Sequence, residues 1–440
     1  MLPRPVPEAL ERPLRAAPPR PPVLLTMAGH AGTLAAARCL GRAGIRVTVA
    51  SDARFKPAAW SRHVERTVRC PPPSQPEKFM EWLFAFGKAN PGHFLYPTCD
   101  DFAYLFARHE KELARYFVLY QPPAEVILDL LDKKSLYEAC GRAEVAVPDT
   151  FFAQTDAQAY RVAAEATFPL LIKPRTQVMF PTAMKGWRVD HREELASTLR
   201  AYRARNSYIP ALLKERPDIA EPMLQAYHAE AEGGIESIAG FIDEHGGLYA
   251  ARAATKLLQR PRRVGIGICF EHVPLDLAAK EAIRRLCKQV GYYGVFEAEF
   301  IRKGEERLLI DFNPRFYGQM GFEIARGLPA PLFAYLAAVG DRRALREEVA
   351  KSQRYTFVEP PIYLHRFALG LQIFAQRLSG RMPRDAARRW KRWYAAHRRI
   401  ATDAAFDRRD PLPGFFEAFA LLWGAARHPR GFLRSILLDR

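Results

Sequence analysis

Residues 294–321, GVFEAEFIRKGEERLLIDFNPRFYGQMG, decide how the rest of the chain is read. Phe296, Ala298 and Phe300 alternate with Glu297, Glu299 and Ile301. After Lys303-Gly304-Glu305-Glu306, Leu308 and Ile310 alternate with Leu309, Asp311 and Asn313. Alternation with period two puts each parity on one face of a strand, so the stretch predicts a β-hairpin. A three-residue loop over 304–306, a common solution with glycine in it, sets Glu299 across from Asp311. Glu299, Asp311 and Asn313 then share a face, with Glu297 as a reserve on the same side. Asp311 and Asn313 stand about 6.6 Å apart along the strand. Two carboxylates this near repel unless a cation lies between them. Oxygen-only donors suit Mg²⁺, which keeps waters and substrate phosphates in its shell. Pro314 stops the ladder, and Arg315 follows as a fixed positive charge able to grip a phosphate or carboxylate bidentately. The plainer alternative is a solvent-facing charged hairpin. The flanking apolar residues and the tight Asp-Phe-Asn-Pro-Arg cluster favour a site.

At 440 residues and 49% hydrophobic, the chain has room for two or three cored domains. Its six cysteines form no Cys-x-x-Cys pair and no ligand spacing with histidine, and read as reduced, mostly buried thiols of a cytoplasmic protein. The net charge of +18 fits an anionic substrate, a nucleic acid or an acidic membrane surface without choosing among them. No apolar run reaches the length of a membrane-spanning helix.

Residues 1–22 are rich in proline and arginine, lack a signal-peptide core and read as a disordered tail. VLLTM (23–27), the AGHAGTL loop, a helix carrying Leu34, Ala37 and Leu40, and GIRVTVASD make a βαβ unit. Asp52 is placed like the ribose acid of a dinucleotide site, but Gly29-His30-Ala31-Gly32 is not G-x-G-x-x-G. FLYPTCDD (94–101) adds a strand whose Thr98, Asp100 and Asp101 could touch a substrate, with helix capping by Asp100 as the structural alternative. FPLLIKPR (168–175) is an apolar strand ending in Lys173, which is costly to bury unless it meets an anion. Two further alternating strands flank the turn Asp243-Glu244-His245-Gly246-Gly247. Residues 275–290 form an amphipathic helix lined by Leu277, Ile283, Leu286 and Val290.

EAEF…LLIDFNPRFYGQ resembles the magnesium-binding segment of the ATP-grasp superfamily, and most of all that of its carboxylate–amine ligases, which include D-aspartate-ligase-like enzymes. The resemblance spans roughly 23–340. It implies an α/β and α+β multidomain chain: a Rossmann-like domain over 23–124 and an ATP-grasp domain over 125–340, with lobes 125–214 and 215–340. It implies ATP and one or two Mg²⁺ ions (Mn²⁺ as a substitute) as cofactors. Lys133 of Asp-Lys-Lys-Ser, Lys173 and Lys256 match lysines that meet phosphates. Leu224-Gln225-Ala226-Tyr227 matches the adenine hinge, where Ala226 departs from the usual glutamate but backbone groups do the recognition. Glu221 and Glu236 are candidates for ribose or hinge contacts. Residues 176–195 match the phosphate-covering loop. Here they hold a single glycine, Gly186, with Lys185 and Arg188 as substitute charges. Glu299, Asp311 and Asn313 are the implied metal ligands. Arg315 and Lys256 are the implied catalytic groups. The implied reaction is ADP-forming: a carboxylate becomes an acyl phosphate, which an amine, or less often a thiol, displaces.

Residues 341–440 fall outside the resemblance, with 21 Lys/Arg against 10 Asp/Glu. They read as a basic, mainly helical extension packed on the core, the alternative being contact with an anionic bilayer at the inner membrane face. No nucleic-acid module accompanies the charge, so nucleic acid is not expected as a partner. The competing function is a non-catalytic nucleotide-binding scaffold at a membrane surface. A dinucleotide-dependent enzyme built on 23–52 ranks below both.

Overall fold

The computed structural model describes residues 20–179, 186–205, 208–231, 234–260, 266–356, 362–378, 380, 384–397 and 399–427. Lys185 and the arginines at 262 and 263 lie outside them. Five short strands form a parallel sheet: β1 (Val23–Leu25), β2 (Val47–Ser51), β3 (Arg66–Arg69), β4 (His93–Leu95) and β5 (Phe117–Leu119), in the order β3-β2-β1-β4-β5. All three residues of β1 are buried, as a strand covered on both faces requires. The helix Ala31–Arg42 buries Leu34, Ala37 and Leu40, the periodic set visible in the sequence.

A four-stranded antiparallel sheet follows, made of β6 (Thr150–Phe151), β7 (Leu170–Lys173), β8 (Trp187–Val189) and β9 (Met223–Ala226), in the order β6-β9-β7-β8. The largest sheet comprises β10 (Ile235–Ile242), β11 (Tyr249–Arg260), β12 (Ile266–Val273), β13 (Gly294–Lys303), β14 (Glu306–Asn313), β15 (Ile362–Leu364) and β16 (Thr402–Asp403). Its order is β14-β13-β10-β11-β12-β15-β16. Phe296, Ala298, Phe300 and Phe312 lie in the main core with Ile283 and Leu286 of the helix Leu277–Val290. That helix presents Ala279, Ile283, Leu286 and Cys287 inward. Leu277, expected on the buried side, is its first residue and is 75% exposed; Asp276 caps the helix by accepting from the Ala279 amide.

Two differences from the sequence reading concern the hairpin and the C-terminal segment. Lys303 pairs with Glu306, so the loop holds two residues, Gly304 and Glu305, rather than three. Glycine takes the left-handed φ of +62° there, which suits a two-residue turn. A bulge at Ile310 then shifts the ladder by one residue, so that Glu299 still faces Asp311 and Glu297 faces Asn313. The C-terminal segment is mainly helical but also adds β15 and β16 to the large sheet.

Asp410 anchors that segment to the first sheet's layer. Its carboxylate accepts from Arg38 Nε at 2.8 Å, Ser61 Oγ at 2.6 Å and the Arg62 amide at 2.8 Å. Burial pushes its pKa up, but the hydrogen bonds from Ser61 and Arg38 outweigh burial and hold it below the usual 3.8. The native state therefore binds fewer protons here than the unfolded chain. The anchor's contribution is complete above pH 3.8 and is lost as pH falls through the native pKa. Asp410→Ala leaves Arg38 buried without its partner and should lower stability by about 3 kcal/mol. Urea unfolding of the variant checks this, and the deficit should shrink toward acid pH.

Candidate active site

One cleft opens between the four-stranded sheet and the large sheet. Leu171, Lys173, Gln225, Ala226 and Tyr227 line it from one side. Lys256, Glu299, Ile301 and Asp311 line it from the other, with Lys133 at the same wall. It encloses about 840 Å³ of free space, part of it open to solvent, within the size range of small-molecule sites. Register explains the second wall. Ser237 pairs with both Glu299 and Ala254, so β10, β11 and β13 present residues of fixed parity to one face. Lys256, two residues on from Ala254, and Asp311, opposite Glu299, fall on that face.

Each acid in the cleft is matched to an ammonium. Lys256 Nζ lies 2.8 Å from Glu299 Oε1, and Lys133 Nζ lies 2.6 Å from Asp311 Oδ1. Burial alone would lower the pKa of Lys256, but Glu299, Glu297 and Asp311 hold it above its ordinary value, so it stays charged. Lys173 Nζ donates to Gln225 Oε1 at 2.9 Å. Gln225 Nε2 donates to the Tyr137 hydroxyl at 2.9 Å, and Tyr137 donates to the Ile310 carbonyl at 3.3 Å. Lys133 Nζ reaches the same carbonyl at 3.2 Å. Ile310 is the bulged residue, left out of the strand pairing, so its carbonyl is available to these two donors. The bulge thus ties two lysines to a single chain of hydrogen bonds across the cleft. Tyr137→Phe should break that chain and destabilise the protein by about 1 kcal/mol, read by urea unfolding.

Beyond the cleft lining the acid face continues toward the first sheet. Glu297 is buried and accepts from Asn313 Nδ2 at 2.6 Å and Gln319 Nε2 at 2.5 Å. Burial, then the neighbouring Glu299 charge, pushes its pKa up to about 8. Asn313 Oδ1 accepts from Arg315 Nη2 at 2.7 Å, so Asn313 braces Glu297 and Arg315. Arg315 also donates to Asp100 Oδ1 at 2.5 Å and is held charged by it. The remaining strand-end groups serve structure. Thr98 shares a hydrogen bond with Thr26 at 2.9 Å, and Asp101 accepts from the Met179 amide at 2.6 Å.

Three expected groups lie elsewhere. Glu236 pairs with Phe300 and so sits on the opposite face of the sheet from Lys256; its carboxylate takes Arg307 at 2.9 Å and Arg302 at 3.2 Å. Glu221 is absent from the cleft lining and takes Arg203 at 2.9 Å. Arg188 stacks over the Tyr227 ring at 4.4 Å and pairs with Asp190, so its charge lies at the hinge strand rather than over Lys173. Sequence reading missed Tyr137, Gln319 and Arg175. Arg175 is buried, is bound by Asp132 through both carboxylate oxygens and takes Asp218 at 2.7 Å, fixing the start of the helix that carries Lys133. An arginine two residues after a strand lysine was the available signal for it.

The donor set fits a hard divalent ion. Glu299 and Asp311 are oxygen donors opposite one another, and their charges are held close by lysines that an anion could draw away. Among the described residues, no group of three or more His, Cys, Asp or Glu side chains forms a complete metal cage. Two carboxylates with the rest of the shell from ligand oxygens is the pattern Mg²⁺ favours.

No protein-family model matches the chain. The carbamoyl phosphate synthase large chain of Thermus thermophilus is 28% identical over 229 residues, covering 50% of this chain and 20% of that protein. The chain therefore spans about one fifth of the length of the curated relative it matches. Among solved structures, the biotin carboxylase domain of the Hydrogenobacter thermophilus 2-oxoglutarate carboxylase, in complex with MgADP, ADP and bicarbonate, superposes with a TM-score of 0.58. It is 17% identical, with 73% of this chain and 70% of that one covered. The L-amino acid ligase of Bacillus licheniformis gives 0.54 at 15% identity, covering 72% and 74%.

Proposed function

We propose that this chain, whose fold and acid hairpin resemble those of ATP-grasp enzymes, is an ADP-forming ligase joining a small carboxylate to an amine. The observation that carries this reading is the meeting of three lysines and two opposed carboxylates in one cleft between two sheets. Glu299 and Asp311 would hold Mg²⁺, with Glu297 and Asn313 behind them. When bound, the ion supplies charge neutralisation at the phosphate oxygens. Lys133, Lys173 and Lys256 would exchange their present partners for phosphate oxygens. Lys133 and Lys256 then trade a carboxylate for a phosphate, while Lys173 trades the neutral Gln225 amide oxygen for one. The adenine would lie beside Ala226 and Tyr227, whose amides already donate to the Asp149 and Pro169 carbonyls, with the Arg188–Tyr227 stack covering that end.

Arg315 is fixed by Asp100 and Asn313 and stays charged, so it can orient a substrate carboxylate without moving. A carboxylate oxygen attacks the γ-phosphorus and ADP leaves. The amine nitrogen then attacks the acyl carbon, phosphate departs, and the amine proton passes to solvent. Catalysis of this kind is positioning and charge stabilisation and needs no side-chain nucleophile. The test is a screen for ADP release with Mg²⁺ over pairs drawn from amino acids, peptides and acyl acids. Release that depends on both a carboxylate and an amine is expected. ATP binding without turnover for any pair would return the chain to the scaffold reading.

A further inference from the structure

The helix Leu412–Arg427 packs through Phe416 on Trp60, with ring centroids 4.1 Å apart, and on Phe55 at 5.7 Å. Its outer face is apolar and uncovered: Phe415 is 63% exposed, Leu422 59%, Trp423 51% and Phe419 44%. Residues 415, 419, 422 and 423 recur at helical spacing, so they stand as a crest on one face. Phe55, itself 42% exposed, extends the crest from the first sheet's layer through its contact with Phe419 at 5.5 Å. An exposed aromatic patch built from two distant segments marks an interaction surface.

Charge identifies the occupant. Arg54 lies over the Phe55 ring at 5.8 Å and Arg427 over the Trp423 ring at 5.0 Å, so each end of the crest carries a guanidinium at ring level. Arg62, Arg408 and Arg409 are also exposed in the segments that flank it. Among the acids of these segments, Asp407 pairs with Arg42, Asp410 with Arg38 and Asp52 with Lys56 at 3.9 Å, while Glu417 lies 3.2 Å from the His365 ring and is outnumbered by the arginines. The rim is therefore positive around an aromatic crest. A face of this composition suits the headgroup layer of an anionic bilayer, where rings enter the interface and arginines meet phosphates. We propose that this face docks the protein peripherally on anionic lipid. No helix among the described residues is long and apolar enough to cross a membrane, so the contact is one of lying on the surface.

Sedimentation of the full chain with phosphatidylcholine vesicles, alone and mixed with phosphatidylglycerol, tests this. Binding only to the mixed vesicles, weakened by salt, is expected. Arg54→Ala with Arg427→Ala should weaken it about 25-fold, roughly fivefold per lost charge. Phe415→Ser with Trp423→Ser should abolish it, and both residues project outward, so the helix keeps its packing on Trp60. If the serine variant fails to fold, the arginine pair still decides, since those side chains leave the aromatic packing intact. Absence of binding to the mixed vesicles, binding that survives both variants, or a concentration-dependent dimer that the serine variant dissolves would each overturn the proposal.

Discussion

Asp311→Asn combined with Asn313→Ala should lower ADP release by about a hundredfold to a thousandfold, the range seen when charge stabilisation is removed from a reacting centre. Both changes keep the strand in register: asparagine at 311 retains an oxygen to accept from the Phe312 amide, and the Asn313 side chain bonds the Glu297 and Arg315 side chains rather than the ladder. The first removes the charge that faces Glu299 and pairs with Lys133. The second removes the amide that holds Arg315 and Glu297 in place. The Mg²⁺ concentration giving half-maximal rate should rise as well, which separates loss of ion binding from loss of positioning. Lys133 is only 13% exposed and keeps the Ile310 carbonyl as its remaining partner, so some stability is lost as well, and urea unfolding checks that the variant is folded in the assay. Release of ADP at the parent rate would remove the metal assignment while leaving the cleft and its lysines in place.

Arg326→Ala should be the most destabilising single substitution outside the cleft. Arg326 and Glu323 are both fully buried and pair at 2.8 Å. Arg326 also donates to the Ala253 carbonyl at 2.7 Å and lies over the Phe322 ring at 3.9 Å, clamping the helix Met320–Ala325 to β11. Burial lowers the pKa of the arginine and raises that of the glutamate, so each needs the other to remain charged. Removing one partner strands a buried charge, and a loss of about 3–5 kcal/mol is expected. Arg326→Met with Glu323→Leu removes both charges at similar volume and should recover most of that loss. A double-mutant cycle in urea reads the coupling directly. Near-additive losses would mean that packing, rather than the ion pair, holds this junction.

The hairpin shows how far local pattern reaches. Period-two alternation specified that Glu297 shares a face with Glu299 and Asp311 with Asn313, because side-chain parity is a property of any strand; that the two pairs share one face depended on the register between the strands. The loop length was misjudged, yet Glu299 still faces Asp311, since the bulge at Ile310 restores the shift that the shorter turn removes. A bulge has no reliable signature in a single sequence, so its freed carbonyl and the donors gathered on it, Lys133 and Tyr137, were invisible. Glu236 failed for a related reason. Its face depends on the register of β10 against β13, strands far apart in the chain, and parity within one strand does not fix parity between two.

What the amino-acid order determined by itself is therefore local: the βαβ opening, the buried strand ending in Lys173, the acid hairpin and the arginine after it. Those follow from alternation, helical spacing and proline, each acting over a few residues. Tertiary structure decided which charges meet. Lys133 reaches Asp311 across 178 positions, Arg315 reaches Asp100 across 215, and Arg38 reaches Asp410 across 372. Such pairs form only because burial makes an unmatched charge too costly to keep. That cost depends on the finished packing and has no counterpart in any short stretch of sequence.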